Sequence, residues 1–551
     1  MSAGDRPAAS VRLRRAAPVA VAALILQMVV AMMIAASRDA ATYDETAHLT
    51  AGILNVREHD LRWNAEHPPL VKLLAGLATA GAHVNIRRDL PAYRAGNEFE
   101  MAPALLYGSG NDAEHLLWLG RLPMIGLTAL FALVVFGFAR DLFGLGGGLV
   151  SLALFTLCPT VLANGRLIHT DVPAAGFLLS TAWFLWRART GGRWWFAAAC
   201  GAFGLALATK FIALFAIPPL AVLAFWPGFR GAHGSTARRA FAGATRVGVL
   251  LLSGLAILWL VYLAASPGLE FHSHFYDVWA GRAGNLTGSV IDHLPVPRAY
   301  RVGLRFAVAF DQAGDRRAFL FGRAYRGGSL LFYPAVLLMK TPLGTLALWG
   351  AGLAAIVRRR RRLALLAALL LVPVAILAFA MFSRTNIGVR HVAVVPVFGA
   401  VIAGAVWVRG ATRRRLAAVG ILLAATAASV WAAFPSQLSY MNEAFGGHAA
   451  AYKRMADSNV DWGQDLKRLA SYDRGHPSGR PDWLVYFGTA SPGAYGIEAS
   501  DGLRASRESI HGLVAISVTW LDLSPEKWAW IARGRRPVAR VGDTILIYRV
   551  P

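Results

Sequence analysis

The sequence predicts a polytopic α-helical membrane protein, a class that both its composition and its apolar runs indicate. Of 551 residues, 56% are hydrophobic and only 16% are charged, and the mean hydropathy is +0.46. A soluble protein of this length needs more polar surface to cover its domains. Several apolar runs also reach the length of about 20 residues that a bilayer requires.

The net charge of +25 would suit a nucleic-acid-binding protein, but the distribution of arginine argues against that class. The arginines gather in short polar segments between apolar runs, at 187–193, 230–246, 358–362 and 409–415. This is the positive-inside pattern of cytoplasmic loops in membrane proteins. We therefore expect membrane lipids, and no nucleic acid, among the partners.

The apolar runs predict eleven membrane spans, with the N-terminus in the cytoplasm and the C-terminus outside. They lie near 16–36, 119–139, 144–163, 172–187, 194–209, 211–227, 247–265, 341–357, 363–382, 391–408 and 416–433. In this orientation every arginine-rich short loop is cytoplasmic. The first run is too long for the core of a cleaved signal peptide and is therefore predicted to be a retained anchor.

Three longer polar segments are predicted to lie outside: a first outer loop at 37–118, a later outer loop at 266–340, and the segment 434–551. The last segment is predicted to be a small extracytoplasmic α/β domain that follows a membrane domain at 1–433. Its strand-like runs, which alternate with helix-compatible stretches, are 483–487, 513–520 and 544–550.

The first outer loop places carboxylates directly after the first span, where ionisable groups are costly unless they have a function. Thr42 and Glu45 form a capping-box pattern that predicts a helix starting near Tyr43. Asp44 falls in the first turn, where the helix dipole favours its ionised form, and it is a candidate general base. Glu45 is a second catalytic candidate, and the helix cap is its alternative role. We expect this helix to lie on the membrane surface through an apolar face of Leu49, Ile53, Leu54 and Val56.

A second amphipathic surface helix is predicted to begin at Pro68 and Pro69, since proline suits a first helical turn. Lys72 is expected on its polar side. Glu66, a third catalytic candidate, and His67 come just before this helix. The alternative role for Glu66 and His67 is structural: they would connect the loop between the two helices, as a loop tie.

The motif DE-x-x-H followed by HPPL-x-K resembles the first outer loop of the PMT, or family 39, group. This group comprises the protein O-mannosyltransferases and related bacterial lipid-carrier-dependent glycosyltransferases, and it belongs to the GT-C superfamily. Arg121 in GRLP and the eleven spans are also similar to the family. The resemblance covers about three quarters of the chain and implies a bacterial GT-C fold with 1–433 as the catalytic domain. Glu66 stands where the eukaryotic enzymes usually have Asp.

The resemblance implies transfer of a hexose or pentose from a polyprenyl-phosphate donor to a protein, lipid or glycan acceptor. Transfer would occur at the outer face of the plasma membrane, with inversion at the anomeric carbon and with Asp44 as the base that activates the acceptor. The later outer loop lacks the β-trefoil-sized insertion of the eukaryotic members, which argues against assuming a protein acceptor.

A polyprenyl-phosphate leaving group gains negative charge as the sugar departs, so fixed cations are expected near it. Lysine is scarce, with six residues against fifty arginines, and three of the six lie at predicted outer helix ends or on a surface helix. The predicted donor-phosphate and substrate-binding residues are His67, Lys72, Arg121, Asp171, Lys210, Lys340, Arg390 and His391. Contact with lipid headgroups is the alternative for each cation, and a helix cap or ion pair is the alternative for Asp171.

Two other functions remain open at this point. A transporter or flippase of lipid-linked sugars would place polar groups near the bilayer midplane, often in repeated halves. Here the ionisable groups lie at the outer rim and no duplicated half is visible. A non-catalytic scaffold, with a C-terminal domain that binds a partner, is the third reading.

The need for a cofactor is also open. The adjacent acids and His67 could bind a divalent cation, but no tight His/Cys ligand set requires one. The segment Asp457–Asp465, DSNVDWGQD, is similar to one in bacterial members of the group. It is predicted to be a turn and helix start packed on the membrane domain.

Overall fold

The computed structural model describes residues 5–231, 233–359, 362–407 and 412–551, and α-helices dominate it. The helices of the N-terminal three quarters are Asp5–Arg38, Tyr43–Arg57, Leu70–Ala78, Pro91–Ala95, Glu98–Gly108, Ala113–Thr156, Pro159–Asn164, Asp171–Arg187, Arg193–Leu207, Ile217–Gly231, Thr236–Ala265, His274–Ala280, Asn285–Asp292, Arg298–Ala313, Phe332–Lys340, Leu343–Val357, Arg362–Phe382, Val394–Ala403 and Arg413–Ala432. Short 3-10 turns at Phe211–Ala216 and Val389–Val392 lead into two of them.

Each of the eleven predicted spans coincides with helix among the described residues, which confirms a polytopic helical membrane protein. The helix Ala113–Thr156 contains the predicted span 119–139 and the first part of the span 144–163, and it kinks at Gly144, whose φ of 81° is readily adopted by glycine. Six helices in the described part of the chain are long and apolar enough to cross a membrane. The bent pair Phe332–Lys340 and Leu343–Val357 makes seven if it is one span. The number eleven therefore stays a prediction.

The helix predicted near Tyr43 begins there, at Tyr43–Arg57, with the predicted capping box. The prediction that it lies on the membrane surface is wrong, because its residues from Glu45 to Asn55 are all buried. It packs so closely on Leu70–Ala78 that a Cβ on Gly76 would lie 2.1 Å from the carbonyl oxygen of Gly52. From Glu45 to Asn55 it is therefore an internal helix.

The C-terminal region forms a small α/β unit, as predicted. A hairpin in the later outer loop, β1 (Arg317–Leu320) and β2 (Arg323–Arg326), precedes the strands β3 (Trp483–Val485), β4 (Ser500–Asp501), β5 (Gly512–Ser517), β6 (Ala539–Val541) and β7 (Ile545–Val550). The five-stranded sheet has the order β4-β3-β5-β7-β6, with β3 parallel to β4 and β5 and the other pairs antiparallel. Its helices are Leu466–Gly475, Val518–Leu523 and Pro525–Ala532. Strands β4 and β6 were not predicted.

The C-terminal unit packs on the first outer loop. The backbone N–H of Tyr43 donates to the carbonyl of Trp462 at 2.9 Å, and the Tyr43 ring stacks on Phe487 at 5.4 Å between centroids. The hairpin β1–β2 joins the same unit, since Leu320 forms a β-bridge with Met455. These contacts close the C-terminal unit over the start of the helix Tyr43–Arg57.

Candidate functional site

Two ionic clusters meet at the start of the helix Tyr43–Arg57, because Asp44 and Glu45 are neighbours and therefore point in different directions. The open cluster consists of Asp44, His169, Asp171, Lys210 and Arg390. The closed cluster consists of Asp39, Glu45, Arg121, Arg166 and Arg468.

The open cluster joins two carboxylates through an arginine and a histidine, and a lysine pairs with one of the carboxylates. Asp44 Oδ2 lies 3.1 Å from His169 Nε2 and 3.3 Å from Arg390 Nη2. Asp171 Oδ2 lies 2.6 Å from His169 Nδ1 and 3.4 Å from Arg390 Nη1. The second oxygen of Asp171 pairs with Lys210. Arg390 is thus almost equidistant from the two carboxylates.

Asp44 is the accessible member of this cluster. Its side chain is 27% exposed, whereas those of Lys210 and Arg390 are 8% and 5% exposed and those of His169 and Asp171 are essentially buried. A substrate approaching from outside would therefore meet the Asp44 carboxylate with the buried basic groups behind it.

The electrostatic setting keeps Asp44 ionised. Burial by itself would raise its pKa, but Arg390 and His169 together hold the pKa of Asp44 well below its usual value. Beside it, burial lowers the pKa of His48 to about 3, so that imidazole is neutral. His48 Nδ1 lies 2.7 Å from the carbonyl oxygen of Ile168 and donates to it, which leaves Nε2 as an unpartnered acceptor.

Four separate segments of the chain supply the open cluster. Asp171 lies in the first turn of Asp171–Arg187, and Lys210 directly precedes the 3-10 turn Phe211–Ala216. Arg390 lies in the 3-10 turn Val389–Val392. Asp171 therefore meets the predicted alternative of an ion pair, and it pairs with the predicted cations Lys210 and Arg390.

The segment Asp457–Asp465 contacts Arg390 and holds its side chain in place. The guanidinium carbon lies 4.2 Å from the centroid of the Trp462 ring, and Nε donates to Ser458 Oγ at 3.1 Å. Ser458 approaches the backbone so closely that a Cβ on Gly388 would lie 2.2 Å from Ser458 Oγ. This segment packs on the membrane domain, as predicted, and the packing fixes the orientation of the arginine.

The closed cluster leaves neither Glu45 nor Arg121 available to a substrate. Glu45 accepts from Arg121 Nη2 at 2.6 Å and Nε at 2.8 Å, and from the backbone N–H groups of Thr42 and Ile168. Arg121 Nη1 donates to the backbone carbonyls of Ala36 and Asp39, and Nη2 also donates to that of Ala40. We therefore reassign both residues from catalysis and donor binding to structural support, because no donor of the arginine is left for a phosphate.

Lys72 and Lys340 are also structural, in place of the predicted donor binding. Lys72 is 2% exposed and donates to the carbonyls of Asn64, at 2.5 Å, and of His67, at 2.7 Å. Lys340 is 3% exposed and donates to the carbonyls of Leu438, at 2.6 Å, and of Asn459, at 2.5 Å. Both lysines hold loops together. The sequence cannot distinguish this role from phosphate binding, because both need a cation at an outer helix end.

Glu66 lies in a separate buried acidic pair. Asn64 Nδ2 donates to Glu66 Oε1 and to Glu98 Oε1, both at 3.1 Å. Burial and the nearby Glu98 carboxyl raise the pKa of Glu66 to about 8. The raised pKa favours the protonated form of Glu66, which can donate a hydrogen bond. Its contact with Asn64 also fits the predicted loop tie.

His67 and His391 each keep one buried ring nitrogen without a partner, Nδ1 in His67 and Nε2 in His391. The His67 ring packs on His48, with 5.2 Å between centroids, and His48 in turn lies 5.0 Å from His169. Both predicted residues thus remain candidates for contact with substrate.

Arg316 is a cation that the sequence analysis missed. Its side chain is 38% exposed, and Nη2 lies 3.7 Å from Asp457 Oδ2. Although burial of part of the side chain lowers its pKa, the charges of Asp457, Asp44 and Glu66 raise the pKa of Arg316 overall. No motif distinguishes it in the sequence from the other loop arginines. His169 was also missed, although it stands two residues before the predicted Asp171.

The described residues contain no group of three or more His, Cys, Asp or Glu side chains placed to hold a metal ion. In the open cluster, Lys210 and Arg390 balance the carboxylates instead. A divalent cation therefore stays a prediction without a set of ligands among these residues.

Residues 113–259 match the family described as dolichyl-phosphate-mannose-protein mannosyltransferase. The matched range includes three members of the open cluster: His169, Asp171 and Lys210. Over these residues the chain is therefore similar to the family that the first outer loop resembles, and the match favours a glycosyltransferase over a transporter. No curated protein sequence matches the chain.

Among solved structures, the chain resembles ArnT from Cupriavidus metallidurans bound to undecaprenyl phosphate, with 14% identity, 96% of this chain and 97% of that chain covered, and a TM-score of 0.49. It resembles the S. cerevisiae Pmt1–Pmt2 complex bound to the sugar donor, with 19% identity, 45% and 34% covered, and a TM-score of 0.33. It also resembles Archaeoglobus fulgidus AglB in complex with an inhibitory peptide and a dolichol-phosphate, with 12% identity, 81% of this chain and 58% of that chain covered, and a TM-score of 0.43. Likenesses at these scores do not by themselves establish a shared function.

Proposed function

We propose that this chain is a polyprenyl-phosphate-dependent glycosyltransferase that transfers a hexose or pentose to an acceptor at the outer face of the plasma membrane. The observation that carries the proposal is the exposed, ionised Asp44 in contact with buried basic side chains. This is the arrangement that a base needs when it works beside an anionic leaving group. The family match over residues 113–259 supports the same reaction class.

In the proposed reaction Asp44 takes the proton of an acceptor hydroxyl as its oxygen attacks the anomeric carbon. The bond from that carbon to the phosphate oxygen breaks, and its electron pair leaves with the carrier phosphate. Because attack comes from the side opposite the leaving group, the configuration at the anomeric carbon inverts. The proton stays on Asp44 until water removes it.

Arg390 connects donor binding with the strength of this base. It lies 3.3 Å from Asp44 and 3.4 Å from Asp171, so a small movement changes which carboxylate it compensates. A donor phosphate that attracts Arg390 would remove part of the positive charge from Asp44. The pKa of Asp44 would then rise toward its usual value, and the carboxylate would become a stronger base when the donor is bound.

Three further groups complete the proposed site. Lys210 forms an ion pair with Asp171 and adds a second positive charge to the cluster that contains Arg390. Arg316, on the later outer loop, is the most exposed cation near Asp44 and could contact the phosphate from outside. Protonated Glu66 can donate a hydrogen bond to a sugar or acceptor oxygen.

The sidedness of the proposal follows from the arginine-rich loops. If these loops are cytoplasmic, then Asp44, the later outer loop and the C-terminal unit all lie outside. The acceptor is a protein, lipid or glycan whose reactive group is a hydroxyl or an amine.

The test uses the full chain in lipid nanodiscs, with polyprenyl phosphates that carry radiolabelled sugars and with a membrane extract as the acceptor source. We expect label to move from the carrier to the extract with the native chain and not with Asp44→Asn. In a parallel experiment the chain is reconstituted in sealed vesicles. Movement of labelled carrier across the vesicle membrane without any transfer would support the flippase and contradict the proposal.

A further inference from the structure

A second basic site lies where the first span meets the C-terminal unit, separate from the open cluster. It is a cleft of about 590 Å³. The end of the helix Asp5–Arg38 contributes Arg38, and the helix Leu466–Gly475 contributes Lys467, Arg468 and Arg474. Glu114 is the only carboxylate among the residues that line the cleft. The lining therefore has four cations and one anion.

Two of the four cations are already paired. Arg468 binds Asp39 and Asp465, and Lys467 binds Glu114 and donates to the carbonyl of Ser37 at 3.2 Å. These pairs neutralise Glu114 and fix the cleft wall.

The other two cations are Arg38 and Arg474, both exposed. Within the described part of the chain neither lies at ion-pair distance from a carboxylate, and Arg474 donates to Ser471 Oγ at 3.1 Å. The cleft thus presents two guanidinium groups that, among the described residues, no carboxylate contacts at ion-pair distance. Guanidinium groups suit phosphate, because they donate two parallel hydrogen bonds to its oxygens.

An apolar stripe on the first span leads to this cleft. Leu26, Val30 and Ile34 are 63%, 44% and 37% exposed, and Arg38 follows at the same spacing of four. Residues four apart lie on one face of a helix. On a membrane span, an exposed apolar face of this kind contacts acyl chains. The stripe would thus guide an acyl chain to a headgroup at Arg38.

We propose that the cleft binds the phosphate headgroup of an anionic membrane lipid, with the acyl chains along the stripe that ends at Arg38. Because Arg474 belongs to the C-terminal unit and Arg38 to the first span, the lipid holds the two together. This binding does not depend on glycosyl transfer. Free phosphate shares the headgroup chemistry, so the test separates the two sources.

The experiment measures lipid retention by the full chain in detergent micelles, using native mass spectrometry with phosphatidylglycerol and phosphatidylcholine. Each arginine near an anionic lipid contributes about fivefold in affinity, so the double variant R38Q/R474Q should bind phosphatidylglycerol about 25-fold more weakly. R38K/R474K keeps the charge and should retain most of the binding. The matched control is R533Q/R536Q, which removes two exposed arginines elsewhere in the C-terminal unit and should bind like the native chain.

Several results would overturn the proposal. The native chain could bind both lipids equally, R38Q/R474Q could bind phosphatidylglycerol as tightly as the native chain, or the control could lose as much affinity as the variant. Displacement of phosphatidylglycerol by an equal concentration of inorganic phosphate would show that the cleft takes phosphate from solution and not from the membrane. A monodisperse R38Q/R474Q with native thermal stability shows that any lost binding is not lost folding.

Discussion

Asp44 and Glu45 are adjacent carboxylates of nearly the same chemistry, yet the structure gives them opposite surroundings. Asp44 is 27% exposed and shares Arg390 and His169 with Asp171, whereas Glu45 is fully buried and holds Arg121 with two hydrogen bonds. The difference shows that proximity to positive charge does not identify a catalytic carboxylate. What separates the two is access from outside and whether the cations have hydrogen-bonding capacity left for a substrate.

The largest expected effect is the loss of turnover when Asp44, in the open cluster, is replaced. Asp44→Asn keeps the shape of the side chain but removes the proton acceptor, so turnover should fall by about 100- to 10,000-fold. Thermal stability should change much less, since Asp44 is partly exposed. Initial rates of sugar transfer, measured per folded molecule, check this. A variant with native turnover would remove Asp44 as the base.

In the closed cluster, replacing Glu45 by Gln should mainly destabilise the fold. It leaves the buried Arg121 without its compensating charge, and breaking a buried pair costs about 3–5 kcal/mol. The melting temperature in detergent should therefore drop. E45Q/R121M, which removes both charges, should recover part of the loss. A stable but inactive Glu45→Gln would return Glu45 to the catalytic residues.

The two buried lysines sharpen the comparison. Lys210→Met removes a cation from the open cluster, so Arg390 is drawn toward Asp171 and the KM for the donor should rise about tenfold. Lys340→Met is the matched control, because Lys340 donates only to backbone carbonyls. It should lower the melting temperature and leave the donor KM unchanged. If donor titrations instead show a raised KM for Lys340→Met and an unchanged KM for Lys210→Met, the donor phosphate binds near Lys340.

The smallest expected effect is a pH dependence of stability from Glu66. Folding raises its pKa from 4.5 to about 8, so its contribution to stability is complete below the unfolded pKa and is lost as pH rises through the folded value. Glu66→Gln cannot ionise, so its melting temperature should fall less than that of the native chain between about pH 5 and about pH 9. Glu100→Gln, at an exposed position, should follow the native curve. Parallel curves for the native chain and Glu66→Gln would contradict the raised pKa.

Features that depend on neighbouring residues were predictable from the sequence. The capping box of Thr42 and Glu45 is local, and the structure has it where the sequence places it. The second helix, predicted to begin at Pro68 and Pro69, begins directly after them at Leu70, with Pro69 as its N-cap. The core strands of the C-terminal unit were predicted from short β-like runs between helix-compatible stretches. The face that a helix exposes was not predictable, because Tyr43–Arg57 is covered by parts of the chain far away in sequence.

The site was only partly predictable for the same reason. Asp44, Asp171, Lys210 and Arg390 were named from the sequence, and the structure brings them into one cluster. The contact of His169 with both carboxylates requires the fold to bring residues 125 positions apart together. Arg121 and Lys340 could not be recognised as structural from the sequence, since their partners are mainly backbone carbonyls, which leave no signal in residue types.

The central claim is that Asp44, and not its neighbour Glu45, is the reacting carboxylate. The most direct measurement is the rate of sugar transfer per folded molecule for Asp44→Asn and Glu45→Gln, prepared and assayed side by side in the same nanodiscs. The predicted result is a folded, inactive Asp44→Asn and a less stable Glu45→Gln whose folded fraction still transfers sugar. A fully active Asp44→Asn beside a folded, inactive Glu45→Gln would contradict it.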